Sequence, residues 1–127
     1  MHKTRSEAVA TAKEIVEGMG DTERKVMIAP PFTALSDVAR ALEGTQVLLG
    51  AQNMSSEEEG AHTGEVSADM LRDCGVEVVI LGHSERRLKY GESDEFINRK
   101  VRLALEKGLE VILCVGETLE QREANEA

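Results

Sequence analysis

Residues Val76 to Asp94 read V-E-V-V-I-L-G-H-S-E-R-R-L-K-Y-G-E-S-D. The opening run, Val76 to Leu81, is almost wholly aliphatic and β-branched. It is strand-sized and apolar enough to be covered on both faces, the habit of strands in parallel sheets. Gly82 then allows a tight exit, and His83, Ser84, Glu85, Arg86 and Arg87 follow without a break. A titratable ring therefore stands where a strand ends and a helical turn can start, a place where α/β proteins carry function. If the backbone turns helical at Ser84, the unpaired N–H groups of that first turn face the imidazole and disfavour its charged form. A neutral ring keeps one N–H with which to donate near neutral pH. A histidine at a strand end is more often a packing or capping residue than a catalyst, so spacing alone leaves both roles open for His83.

The same alternation of helix and strand extends outward in both directions. Upstream, Thr4-Arg5-Ser6-Glu7 fits a capping box, and Ala8, Val9, Ala12, Ile15 and Val16 recur at helical spacing up to Gly18 and Gly20. Lys25 to Ala29 is a short apolar run ended by Pro30-Pro31, where missing N–H groups forbid further ladder pairing. Thr33 is then expected to cap a helix that turns Leu35, Val38, Ala39 and Leu42 inward and closes at Gly44. Val47 to Gly50 is the next strand. Gln52 to Val66 shows no period and exceeds an ordinary connection, which marks a functional or disordered loop with Glu57, Glu58 and Glu59 at a solvated tip. A helix from about Ser67 to Cys74 stops at Gly75 and leads into the central strand. Downstream, a helix from Ser93 carries Phe96, Ile97, Val101, Leu103 and Leu105 on its apolar side and ends at Gly108. Leu109 to Val115 is a fourth strand, and Thr118 with Gln121 can cap a last helix.

Four strands, each preceded by a helix, require a parallel sheet with helical crossovers. A closed eight-stranded α/β barrel takes about 250 residues, and these 127 residues supply four strands, so the chain reads as one partial domain, half of such a barrel. Hydrophobic residues make up 41% and charged residues 31%, with no apolar run long enough to cross a bilayer, so a soluble protein is expected. The formal charge of −9 argues against a nucleic-acid partner and leaves any anionic substrate to be held by local dipoles. Cys74 and Cys114 are too few and too far apart for a motif and read as reduced core thiols, as in a cytosolic protein. No apolar segment follows the basic Met1 to Arg5, which speaks against a secretion signal. No G-x-G-x-x-G or P-loop follows any strand, which weakens a doubly wound nucleotide-binding module.

I-L-G-H-S-E-R-R followed by Y-G-E-S-D resembles the signature of the triosephosphate isomerases. A-P-P-F-T-A-L at Ala29 to Leu35, G-A-Q-N at Gly50 to Asn53, A-H-T-G-E at Ala61 to Glu65 and I-L-C-V-G-E-T-L at Ile112 to Leu119 resemble the same family in its order. Together they cover most of the chain. The resemblance implies a parallel (β/α)8 TIM barrel, present here in about half. It also implies a glycolytic and gluconeogenic isomerase of the cytoplasm that interconverts dihydroxyacetone phosphate and D-glyceraldehyde 3-phosphate with no cofactor and no metal. His83 matches the family's electrophilic histidine, supported by Ser84 and by Glu85, a glutamate beside the site whose structural alternative is an ion pair with a lysine. Arg86 and Glu92 match an internal salt bridge, and Cys114 a core cysteine. Thr63, Gly64 and Glu65 match the tip of a loop that enters a neighbouring subunit, which implies a homodimer; His62 departs from the usual aromatic residue there, and His2 from the usual asparagine.

The family's first strand, with its N-W-K-M-N motif, and everything after the fifth α-helix have no counterpart in these residues. Those portions carry the lysine, the proton-moving glutamate, the mobile lid and the phosphate-binding loops. The isolated chain is therefore expected not to turn over, and neither Glu85 nor Glu117 is a substitute base. The alternative is a non-catalytic half-barrel that self-associates or complements another chain through its sheet edges.

Overall fold

The computed structural model describes residues 1–125. Four strands, β1 (Met27–Ile28), β2 (Leu48–Ala51), β3 (Val78–Leu81) and β4 (Glu110–Leu113), form one sheet in chain order, and every neighbouring pair is parallel. They are accompanied by α1 (Arg5–Met19), α2 (Leu35–Ala41), α3 (Ala68–Asp73), α4 (Ser84–Lys89), α5 (Asp94–Glu106) and α6 (Leu119–Glu123). Strands that pair in chain order through right-handed helical crossovers keep the helices on one side of the sheet. A doubly wound sheet would reverse its order at a switch point, and this one does not. The architecture is an arc of a TIM barrel, with four parallel strands and their flanking helices.

Side-chain alternation shows where the core lies. Leu49, Ala51, Val79, Leu81 and Val111 join a cluster with Ala8 and Ala12 of α1, Leu35 and Val38 of α2, Leu71 of α3, and Leu103 and Ala104 of α5. The intervening residues face the other way. Val78 is buried among neighbouring strands, but Leu48 and Ile80 are only half-buried and Ile112 is exposed. The full cover expected for both faces of β3 is therefore complete on the helical side and only partial on the other, where Ile80 is half-buried and no helix among the described residues lies over it.

Several element boundaries differ from the sequence expectation for local reasons. The β1 ladder is two residues long, since Pro30 and Pro31 follow directly. Thr33 caps no helix: it lies inside a 3-10 turn, Phe32–Ala34, that Pro31 starts by accepting the Ala34 N–H at 3.0 Å. β4 stops at Leu113 and does not reach Val115. Leu105 is exposed, whereas Lys100, not expected inward, is buried among Ile97, Leu103 and Ala104 on the same helix. The thiols are half-buried: Cys74 packs against the core cluster and its Sγ accepts from the Ser36 hydroxyl at 3.5 Å, whereas Cys114 lies just past the last paired residue of β4. Ser67, Ser93 and Thr118 cap α3, α5 and α6 as their residue types dictate, accepting from the N–H groups of Met70, Phe96 and Gln121.

The 52–66 segment forms neither helix nor strand, and its base is closed by the Ser55 N–H donating to Val66 O at 2.8 Å. Glu57, Glu58 and Glu59 are exposed at its tip, where Glu58 also meets Lys107 of α5's C-cap at 3.5 Å. Among the described residues no helix is long and apolar enough to cross a membrane.

Leu71 is wholly buried between α3 and the sheet. Leu71→Ala is expected to cost about 2–5 kcal/mol, seen as a lower urea midpoint with an unchanged slope in equilibrium unfolding.

Candidate active site

The carboxyl ends of β3 and β4 open on a cleft of about 640 Å3 whose walls include Gly82, His83, Ser84, Arg87, Cys114 and Glu117. His83 is the N-cap of α4, with extended backbone (φ −55°, ψ 143°). A short capping side chain would normally take the orphan amide of the helix's first turn. Here the ring does so, and His83 Nδ1 accepts from the Glu85 N–H at 3.2 Å. A nitrogen that accepts a hydrogen bond carries no proton, so the ring hydrogen resides on Nε2, the nitrogen left for the cleft. The side chain is 48% exposed, so a small molecule in the cleft reaches it.

The Glu85 carboxylate lies 3.7 Å from the same Nδ1 and is itself exposed. Among the described residues it meets no lysine, so the structural alternative of a lysine ion pair is not formed here, and its main-chain N–H makes the contact with the ring. Ser84 is exposed on the cleft wall beside it. Glu117, also on that wall, faces Arg122 at 3.6 Å. Thr63, Gly64 and Glu65 are exposed on the long loop after β2 and do not line the cleft. Among the described residues no three His, Cys, Asp or Glu side chains converge as metal ligands do.

Beneath α4 lies a buried cluster of charge. Glu92 Oε2 accepts from Arg86 Nε and from Lys100 Nζ, both at 2.9 Å, and Lys100 also donates to Asn53 Oδ1 at 2.9 Å. Burial by itself pushes the Glu92 carboxyl up, but the hydrogen bonds and charges of Lys100 and Arg86 outweigh it and hold the group below its ordinary value. The Arg86 guanidinium also lies over the Tyr90 ring, 4.4 Å from its centroid. Arg86 and Glu92 pair as the sequence suggested; Lys100 and Asn53 were missed. A lysine set on an apolar helical stripe was the available signal for the first, and the second was marked only as the end of the G-A-Q-N match, with no partner implied.

Arg87 was missed as well. Its Nε donates to Gly82 O at 2.7 Å, Nη1 to Asp94 Oδ1 at 2.6 Å and Nη2 to Cys114 O at 3.2 Å.

Comparison with known proteins gives the family. A family model described as triosephosphate isomerase matches residues 1–127. The chain belongs to the triosephosphate isomerase family. It is 61% identical to the triosephosphate isomerase of Treponema denticola over 127 residues, all of this chain and 51% of that protein. Identity to the triosephosphate isomerase of Treponema pallidum is 60% over 124 residues, 98% of this chain and 50% of the other. With that of Alkaliphilus oremlandii identity is 52% over 126 residues, 99% of this chain and 51% of the other. The chain thus spans about half the length of the curated triosephosphate isomerases it matches.

Because the folded carboxyl of Glu92 titrates below its unfolded value of 4.5, its contribution to stability is fully present above that pH and is lost as pH falls through the lower folded value. Glu92→Gln leaves Lys100 buried without a counter-charge and is expected to cost about 3–5 kcal/mol at neutral pH. Thermal unfolding followed from pH 7 downward checks both points: the variant starts with a lower Tm and shows a flatter decline below pH 4.5 than the wild type.

Proposed function

We propose that this chain carries the electrophilic wall of a triose-phosphate isomerase site, and that the whole protein interconverts dihydroxyacetone phosphate and D-glyceraldehyde 3-phosphate. The observation that supports it is the Glu85 N–H donating to His83 Nδ1, which leaves Nε2–H for a substrate carbonyl in the cleft. A neutral imidazole acting as electrophile is the known pattern for this enzyme family and is not a new deduction. The chemical reason for it is plain. Taking a proton from the carbon beside a carbonyl builds negative charge on the carbonyl oxygen, and a preorganised N–H aimed at that oxygen stabilises the enediolate more than the ground state.

In this reading Ser84 shapes the wall beside the ring, and Glu85 acts through its amide more than through its carboxylate. The base that removes the carbon-bound proton belongs to the half of the relatives' length that this chain does not span, together with the phosphate-binding loops. Glu117 and Glu85 are not that base: one is turned to Arg122 and the other lies beside the electrophile itself, whereas proton abstraction requires a carboxylate facing the ring across the substrate. No metal or cofactor enters the reading. The exposed Thr63, Gly64 and Glu65 form the tip that enters a second copy in a homodimer, and the enzyme acts in the cytoplasm.

A second reading, a non-catalytic half-barrel that pairs with another chain, draws on Ile112 and Leu113 at the open β4 edge and on Val115 beyond it, which are 44%, 46% and 81% exposed. Turnover separates the two. A chimera that completes residues 1–127 with the flanking segments of the Treponema denticola relative is expected to isomerise triose phosphates. His83→Gln within it is expected to lower kcat by at least about 100-fold with a much smaller change in KM. An inactive but folded chimera, or one indifferent to His83→Gln, overturns the isomerase reading.

A further inference from the structure

We propose that Arg87 is the positioning residue for His83, holding the peptide planes on both sides of the ring-bearing carbon and tying them to the mouth of the next strand. Four bonds carry this. The main-chain N–H of Arg87 donates to His83 O at 3.1 Å, while its side-chain Nε donates to Gly82 O at 2.7 Å. The two carbonyls that flank the His83 Cα therefore end on a single residue. Nη2 reaches Cys114 O at 3.2 Å, just past β4, and Nη1 reaches Asp94 at 2.6 Å, the first residue of α5.

The need for such a brace lies in Gly82. Its φ of +73° is a conformation that side chains rarely adopt, and a Cβ there would stand 2.9 Å from Arg87 Nη2 and 3.2 Å from Cys114 O. Glycine is therefore required for the turn, yet glycine is also the softest link in a chain. A ring placed directly after it inherits that freedom unless the intervening peptide is held. The Gly82–His83 peptide is held by the Arg87 Nε bond, and with it the direction from which the ring meets the Glu85 N–H.

An ordinary surface ion pair does not account for the arrangement. Asp94 is 86% exposed, so its pairing with Arg87 contributes little in water. The guanidinium spends its other donors on two main-chain carbonyls from two different strand ends, a geometry that needs a planar fork and that a lysine ammonium cannot span. That the braced ring serves as an electrophile rests on the isomerase reading; that Arg87 braces it rests on the geometry alone.

The test reads the Glu85 amide, whose acceptor among the described residues is the His83 ring. Hydrogen exchange by NMR on this chain, wild type against Arg87→Ala, is expected to show Glu85 N–H exchanging at least about tenfold faster while β3 amides keep their rates, since only a local opening has been made easier. The 15N shift of His83 Nδ1 is expected to move toward that of a ring with no donor bound. Arg87→Lys keeps the charge but loses the fork and is expected to behave in the same direction, which covers the case in which Arg87→Ala does not fold. Lys89→Ala, on the same helix, is the control and leaves Glu85 unchanged. Uniform acceleration of all amides, or no change at Glu85, overturns the proposal, because Arg87 would then be a general stabiliser or a bystander. No turnover enters the readout, so its failure leaves the isomerase reading standing, and an inactive chimera leaves the brace standing.

Discussion

The ladder between β3 and β4 is the constraint on which the mouth of the sheet depends. It runs in register from Val78 opposite Glu110 to Leu81 opposite Leu113, and the Cys114 N–H donating to Leu81 O at 2.8 Å adds one more rung. Parallel bonds are evenly spaced, so this register fixes the relative height of the two strand ends. The residues that leave those ends, Gly82 on one strand and Cys114 on the other, consequently present their carbonyls side by side. A single planar cation satisfies both, and the ring that follows Gly82 comes to rest against the first turn of α4. A slip of one residue would turn Val79 and Leu81 away from the helical core and separate the two carbonyls at once.

Charge buried under α4 does a different kind of work. Removing a lysine and a carboxylate from water is expensive, and their mutual attraction roughly offsets that cost only when every hydrogen bond is made. Here the set is incomplete: Lys100 donates to Glu92 and Asn53, Glu92 accepts through Oε2 alone, and its Oε1 finds no partner among the described residues. Such a cluster is weak evidence for stability and better evidence for alignment. It ties α4 through Arg86 and α5 through Lys100 to one carboxylate, and the same lysine ties in the loop after β2 through Asn53.

Much of this was legible in the sequence because it is written locally. The aliphatic runs that became β2, β3 and β4, and the hydroxyls of Ser67, Ser93 and Thr118 before their helices, are decided by residues within a few positions of each other. Motif resemblance supplied the fold and the family, and it placed His83 at a strand end where the structure also has it. What stayed hidden depends on distant or anonymous partners. The burial of Lys100 needs Asn53, 47 positions away. Arg87 binds main-chain oxygens, which have no residue identity to read. Thr33 looked like a cap because hydroxyls cap helices, but Pro31 had already started the turn ahead of it. Glu85 was read for its carboxylate, whereas its main-chain N–H makes the hydrogen bond to the His83 ring.

The clasp at the base of the long loop, where Ser55 meets Val66, separates the span above it from the sheet mechanically. Met54 and Ser55 on one side are buried, so the strand below is anchored before the excursion begins. Entropy of closing a flexible span grows only with the logarithm of its length, about 0.6 kcal/mol for each doubling. Insertions, deletions or proteolytic nicks between the two clasp residues therefore cost the barrel arc little. The tip is free to drift in length and composition to suit whatever surface it meets, while the walls of the cleft keep their shape.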